Sequence, residues 1–160
     1  MKRFDAEQIG NQNPTQTAWR LVRYPILISL TLSPIRFAME YAGLPEKYIF
    51  LIGLLWLTLG FAIYWGIKLA GHQKAILILF LCLCIFSPIS RIPVAILWWI
   101  DTNWNLGTHY GDYFENFGQA LYNQVGYGTL VQLIPGLLVG VVSLLITQSK
   151  KAKTVQHGQY

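Results

Sequence analysis

Apolar residues gather into four long runs, at 19–43, 47–69, 74–100 and 124–147, with polar stretches between them. About 20 helical residues cross a hydrocarbon core of about 30 Å, and each run is long enough. The pattern predicts an all-α fold, an integral membrane bundle of four transmembrane helices. The connections after the first two runs are very short, so consecutive helices should be antiparallel neighbours. The connection 101–124 is longer. Its first half has the turn chemistry of Asn, Gly, Thr and Asp. In its second half Tyr113, Phe117, Ala120 and Leu121 share one helical face, with Phe114 beside them. That spacing predicts a short amphipathic helix over 112–123, lying on the outer membrane surface or capping the bundle. The chain then divides into an N-terminal segment 1–18, a membrane domain 19–147 and a basic tail 148–160.

Composition agrees with a membrane solvent. Hydrophobic residues make up 54% and charged residues 12%, against about 25% charged in soluble domains; the mean hydropathy is +0.41. The net charge of +5 does not point to nucleic acid, because the basic residues form no stripe and sit at the ends of apolar runs. Lys2, Arg3, Arg20 and Arg23 precede the first run, Lys68 and Lys74 flank the second connection, and Lys150, Lys151 and Lys153 follow the fourth run. The other two connections hold Glu46 with Lys47, and Asp101, Asp112 and Glu115. Basic residues on alternate sides predict both termini in the cytoplasm, and small size with this topology suggests a bacterial inner membrane. Trp98, Trp99 and Trp104 would mark the outer boundary, and Trp19, Tyr24 and Trp65 the inner one. The polar start of the chain shows no cleavable signal, so the first run is expected to remain as an anchor. Cys82 and Cys84 lie two apart in LCLC, pointing away from each other on a helix, and no CxxC is present; thiol–disulfide chemistry is not expected.

The third run contains FSPISRIP, which places Arg91 between Pro88 and Pro93 at membrane depth. The first run has a counterpart in LTLSPIR, ending at Arg36. The echo suggests a duplicated helical hairpin. A membrane arginine costs about 2.5–3.5 kcal/mol on insertion scales and must pair, reach water or face the bundle interior. Three explanations fit the residues. Arg91 and the serines could satisfy carbonyls freed by the prolines, those of Cys84 and Ile89. Alternatively, Arg36 could pair with Glu40, four residues on, while Arg91 takes Glu40, Asp112 or Glu115 in a buried ion network. Or the two arginines, with Glu40, Ser33 and Ser87 nearby, could form a cationic pocket for a phosphate head group or another anion.

Other candidates are weaker. Asp101, His109, Asp112 and Glu115 have the chemistry of metal ligands or acid–base groups, but they lie in a turn-rich loop without a ligand pattern. No metal or other cofactor is expected. The run TAWRLVRYPILISLTLSPIR loosely resembles a stretch of the haem-binding membrane subunits of the ferric-reductase-like group. That resemblance implies intramembrane histidine ligands, whereas His72, His109 and His157 all fall outside the runs, and the haem chemistry is not carried over. Gly136 and Gly140 form a GxxxG face after Pro135, with Gly53 and Gly60 as the expected partner stripe inside the monomer, or a second copy as the alternative. No phosphate loop, nucleophile elbow or zinc motif occurs. The expected function is a non-enzymatic membrane protein that binds an anionic lipid, a small ligand or a partner subunit through the arginine pair. An oligomeric transporter or channel component with an anion path is the alternative. A lipid-active enzyme using His109 with Asp101 or Asp112 comes third.

Overall fold

Asn13 starts the first helix. Its side chain accepts a hydrogen bond from the Thr15 N–H at 3.3 Å, and Pro14 takes the first helical position, where a missing N–H costs nothing. In the computed structural model this helix, α1, spans Pro14–Tyr41, and the residues described are 13–45, 48–49, 53–109 and 114–157, with side chains described to 153. Helix α2 spans Leu54–Leu69 and α3 spans Ala75–Trp104. A five-residue helix α4, Phe117–Leu121, passes through a π-helical turn, Tyr122–Tyr127, into α5, Gly128–His157. All regular structure among the described residues is helical.

Three helical stretches are long and apolar enough to cross a membrane: Pro14–Tyr41, Ala75–Trp104 and Phe117–Lys153. Helix α2 is also apolar but has 16 residues, about 24 Å at 1.5 Å per residue. The expected separate surface helix is therefore, from Phe117 onward, the N-terminal end of the last long helix. The π turn explains the continuity. It absorbs a surplus residue without breaking the helix, and Gly126 and Gly128 offer no side chains there to crowd it. Asp112 and Tyr113 lie outside the described residues.

Helix α1 packs chiefly against α3, and α2 against α5, while α3 touches both and α1 barely meets α2. The core between them is aromatic and aliphatic. Trp65, expected as an interfacial anchor, is fully buried, stacked on Phe61 with centroids 5.9 Å apart and edge-on to Phe86 at 5.8 Å. Its indole N–H donates to the Leu21 carbonyl at 3.4 Å. That carbonyl lies four residues before Pro25, whose ring nitrogen cannot supply the helical hydrogen bond. A proline in α1 thus creates an acceptor that an aromatic donor from α2 fills, and this draws the tryptophan inward. Trp98 is buried as well, whereas Trp19, Trp99 and Trp104 are exposed.

Gly136 and Gly140 face the interior. A Cβ on Gly136 would stand 2.9 Å from Leu83 Cδ2, and one on Gly140 would stand 2.9 Å from Leu79 Cδ2 and 3.2 Å from the Ala62 carbonyl. The α2 surface they meet is Thr58, Ala62 and Gly66; a Cβ on Gly66 would collide with the Gly140 carbonyl oxygen. Gly60, expected in this stripe, has open space around it. It sits two residues from both Thr58 and Ala62, about 200° around the helix. Farther along, Ser143 donates to the Ile63 carbonyl at 3.2 Å and Lys151 to the Ala70 carbonyl at 2.8 Å. These bonds clamp α5 to α2 at the end where Lys68, Lys74 and Lys151 gather.

Candidate anion-binding cavity

Arg36, late in α1, and Arg91, mid-α3, line one cavity of about 250 Å³ at the opposite end of the bundle. The other walls are Gly53, Leu54, Leu55 and Trp56 at the start of α2, Val94 of α3, His109 of the loop and Gln124 of the π turn. Both arginines are half-buried. The Nε atoms of both are buried without a hydrogen-bond partner among the described residues. Arg91 Nη1 donates to Gln124 Oε1 at 3.2 Å. The guanidinium is thereby held toward the π turn, away from the Cys84 and Ile89 carbonyls that the prolines free.

Gly128 makes that position available. A Cβ there would stand 3.2 Å from Arg91 Cδ, Nε and Cζ, so the arginine side chain lies directly along the glycine backbone where α5 begins. Pattern reading passed over Gly128 and Gln124 alike. A glycine and a glutamine beside an apolar run carry no distinctive signal until the partner helix is in place.

Glu40 is held elsewhere. Its Oε1 accepts from the His109 backbone N–H at 2.6 Å and its Oε2 meets the His109 ring Nδ1 at 2.5 Å. This is the ion pair found among the described residues. Glu40 and Arg36 share a helix face by spacing, yet the carboxylate turns to a residue 69 positions away in sequence. The loop supplies both a main-chain N–H and a ring nitrogen, one for each carboxylate oxygen. The consequence is electrostatic: among the described residues neither guanidinium has a carboxylate within ion-pair distance.

The end of α2 adds to the cation density. Gly53 is its N-cap, in extended conformation and without a side chain to accept from the first turn. The first N–H groups of a helix have no internal partners, and the aligned peptide dipoles place about half a positive charge there. Residues of that first turn and both arginines line one space, and helix N-termini and guanidinium forks both favour phosphate or carboxylate oxygens.

The remaining predicted site residues lie elsewhere. Ser33 and Ser87 are buried between helices and do not line the cavity. Ser33 Oγ donates to the Ser29 carbonyl at 3.3 Å, while Ser87 Oγ has no partner among the described residues. Asp101 is buried and its Oδ1 accepts from the Thr108 N–H at 3.2 Å. It organises the turn after α3, where Asn105 adopts a left-handed conformation with φ +48°, and so sets the position of His109. Glu115 is exposed beside α4, and Asp112 lies outside the described residues. Among the described residues no three His, Cys, Asp or Glu side chains converge as a metal site.

No protein-family model, curated protein or solved structure matches the chain.

Proposed function

We propose that the chain is a four-span integral membrane protein of a bacterial inner membrane, with both termini cytoplasmic, that binds an anionic ligand of the outer leaflet in the Arg36–Arg91 cavity. Three long apolar helices and a fourth shorter one support membrane insertion. The basic cluster where Lys151 meets Ala70, against the Glu40–His109 and Asp101 end, supports the orientation. The observation that carries the ligand reading is the pair of arginines lining one cavity while Glu40, one helical turn from Arg36, is engaged by His109. Two unneutralised charges at membrane depth cost about 2.5–3.5 kcal/mol each on insertion scales. An anion between them offsets that cost and their mutual repulsion. The ligand is an anionic lipid head group or another anion of similar size, and membrane lipid is the expected partner.

Native mass spectrometry of the purified protein beside an Arg36→Gln/Arg91→Gln variant tests this reading. The wild type should retain an anionic lipid that the variant loses at unchanged thermal stability. Equally bare proteins, with the variant merely less stable, would make the arginines structural.

A second reading, an oligomeric anion transporter or channel component, has one observation in its favour. Ser87 Oγ, Thr129 Oγ1 and Gln132 Nε2 are buried without partners among the described residues, and Ser90 Oγ, which donates to the Ser87 carbonyl at 2.8 Å, stands 3.3 Å from the Gln132 side-chain amide. Ser87 is one turn from Arg91 and Thr129 adjoins Gly128, so polar groups continue into the bundle beside the arginine. Anion flux in liposomes, abolished by the double arginine change, would favour transport over binding.

A further inference from the structure

We infer that the cavity selects a phosphomonoester, a dianion with three terminal oxygens, over a phosphodiester; this rests on the anion-binding reading and sharpens it. The first support is charge. Arg36 and Arg91 contribute two full cations to the lining, and the uncapped start of α2 adds about half a charge. Glu40 is not part of the lining, and both of its oxygens turn to His109. A phosphodiester carries one negative charge and leaves more than one buried positive charge unmatched, which is costly in an apolar surround. A monoester phosphate carries about −1.5 to −2 at neutral pH and comes close to neutrality with the site.

The second support is geometry. The cavity is lined from three directions, by Arg36 on α1, Arg91 on α3 and the first turn of α2. Arg91 is braced on both sides, by Gln124 at 3.2 Å and by the Gly128 backbone beneath it, so its fork is already aimed. A monoester offers three equivalent acceptor oxygens, one for each direction. A diester offers two charged oxygens and turns its second ester arm toward a donor. Guanidinium groups bind phosphate oxygens in pairs, through their planar fork.

The test uses the full-length protein in detergent, exchanged with mixed micelles of phosphatidic acid, phosphatidylglycerol or phosphatidylcholine and read by native mass spectrometry. Phosphatidic acid has a monoester head group, phosphatidylglycerol is an anionic diester, and phosphatidylcholine is zwitterionic. Phosphatidic acid should be retained at least tenfold more strongly than phosphatidylglycerol. An Arg36→Lys/Arg91→Lys variant keeps the charge and should stay folded; it should bind more weakly and keep only the charge-driven part of the preference, because an ammonium lacks the planar fork. Equal retention of the two anionic lipids, both lost in Arg36→Gln/Arg91→Gln, would overturn the monoester selectivity while leaving an anion site. Retention of neither above phosphatidylcholine would remove both readings. Inorganic phosphate separates the sources. Displacement of phosphatidic acid by millimolar phosphate supports the same chemistry reached from water, and resistance to it supports a lipid head group entering from the bilayer.

Discussion

Replacing Trp65 with Phe would test the link between proline placement and core packing. The change deletes the indole N–H that reaches the Leu21 carbonyl at 3.4 Å and shrinks a fully buried side chain. Two costs follow, lost packing and an orphaned carbonyl, and only the second depends on Pro25. A double-mutant cycle with Pro25→Ala separates them, because alanine restores the N–H that the Leu21 carbonyl lacks. A net hydrogen bond contributes about 0.5–1.5 kcal/mol, and leaving a buried partner unsatisfied costs about 1–3 kcal/mol. The bond at 3.4 Å is longer than the usual ~2.9 Å, so a coupling of about 1 kcal/mol is expected. Trp65→Phe should therefore be about 1 kcal/mol milder in the Pro25→Ala background than in the wild type. Denaturant titration in mixed micelles, followed by circular dichroism for all four proteins, measures it. An equal cost of Trp65→Phe in both backgrounds would refute the reasoning, and the tryptophan would then be held inside by packing alone.

Three further outcomes follow from the same structure. Gly66→Val should destabilise by at least about 1–3 kcal/mol, because its Cβ meets the Gly140 backbone and overpacking has that cost; Gly60→Ala, in open space, should be neutral or stabilising by up to about 1 kcal/mol. Parallel thermal melts of the two variants would decide this, and equal effects would contradict the packing described. Glu40→Ala leaves the His109 N–H without the acceptor it meets at 2.6 Å and should cost about 1–3 kcal/mol, with faster proteolysis within 101–116; an unchanged cleavage rate would mean the pair does not anchor the loop. Cys82, fully buried against α1 with its Sγ 3.9 Å from the Ala18 carbonyl, should resist maleimide labelling in the folded protein and react once the bundle is unfolded.

Chain order and local pattern were enough to outline this molecule. The runs 19–43 and 74–100 correspond to α1 and α3 to within about five residues at each end, because an apolar stretch of that length has little choice but a helix. Arg36 and Arg91 stood out for the same reason: a charge within an apolar run is visible without knowing its neighbours. The boundary of the last helix was less legible. The amphipathic spacing of 112–123 suggested a helix separate from the run 124–147, a boundary that the π turn bridges, since a helix can absorb an extra residue at little cost.

What the tertiary structure decided was every pairing. Local spacing offered Glu40 to Arg36, yet the loop brought His109 to Glu40 with two donors, and the arginines were left facing a cavity. Spacing of seven offered Gly53 and Gly60 as the partner stripe, yet the rotation of α2 about its axis presents Thr58, Ala62 and Gly66 to α5 and puts Gly53 at the cavity wall. Trp65 carries the pattern of an interfacial anchor, and only the orphaned carbonyl before Pro25 on another helix explains its burial. In each case the sequence by itself determined which elements form, because helix formation depends on residues within a turn or two. Which faces meet depends on the rotation and tilt of whole helices, set jointly by contacts far apart along the chain.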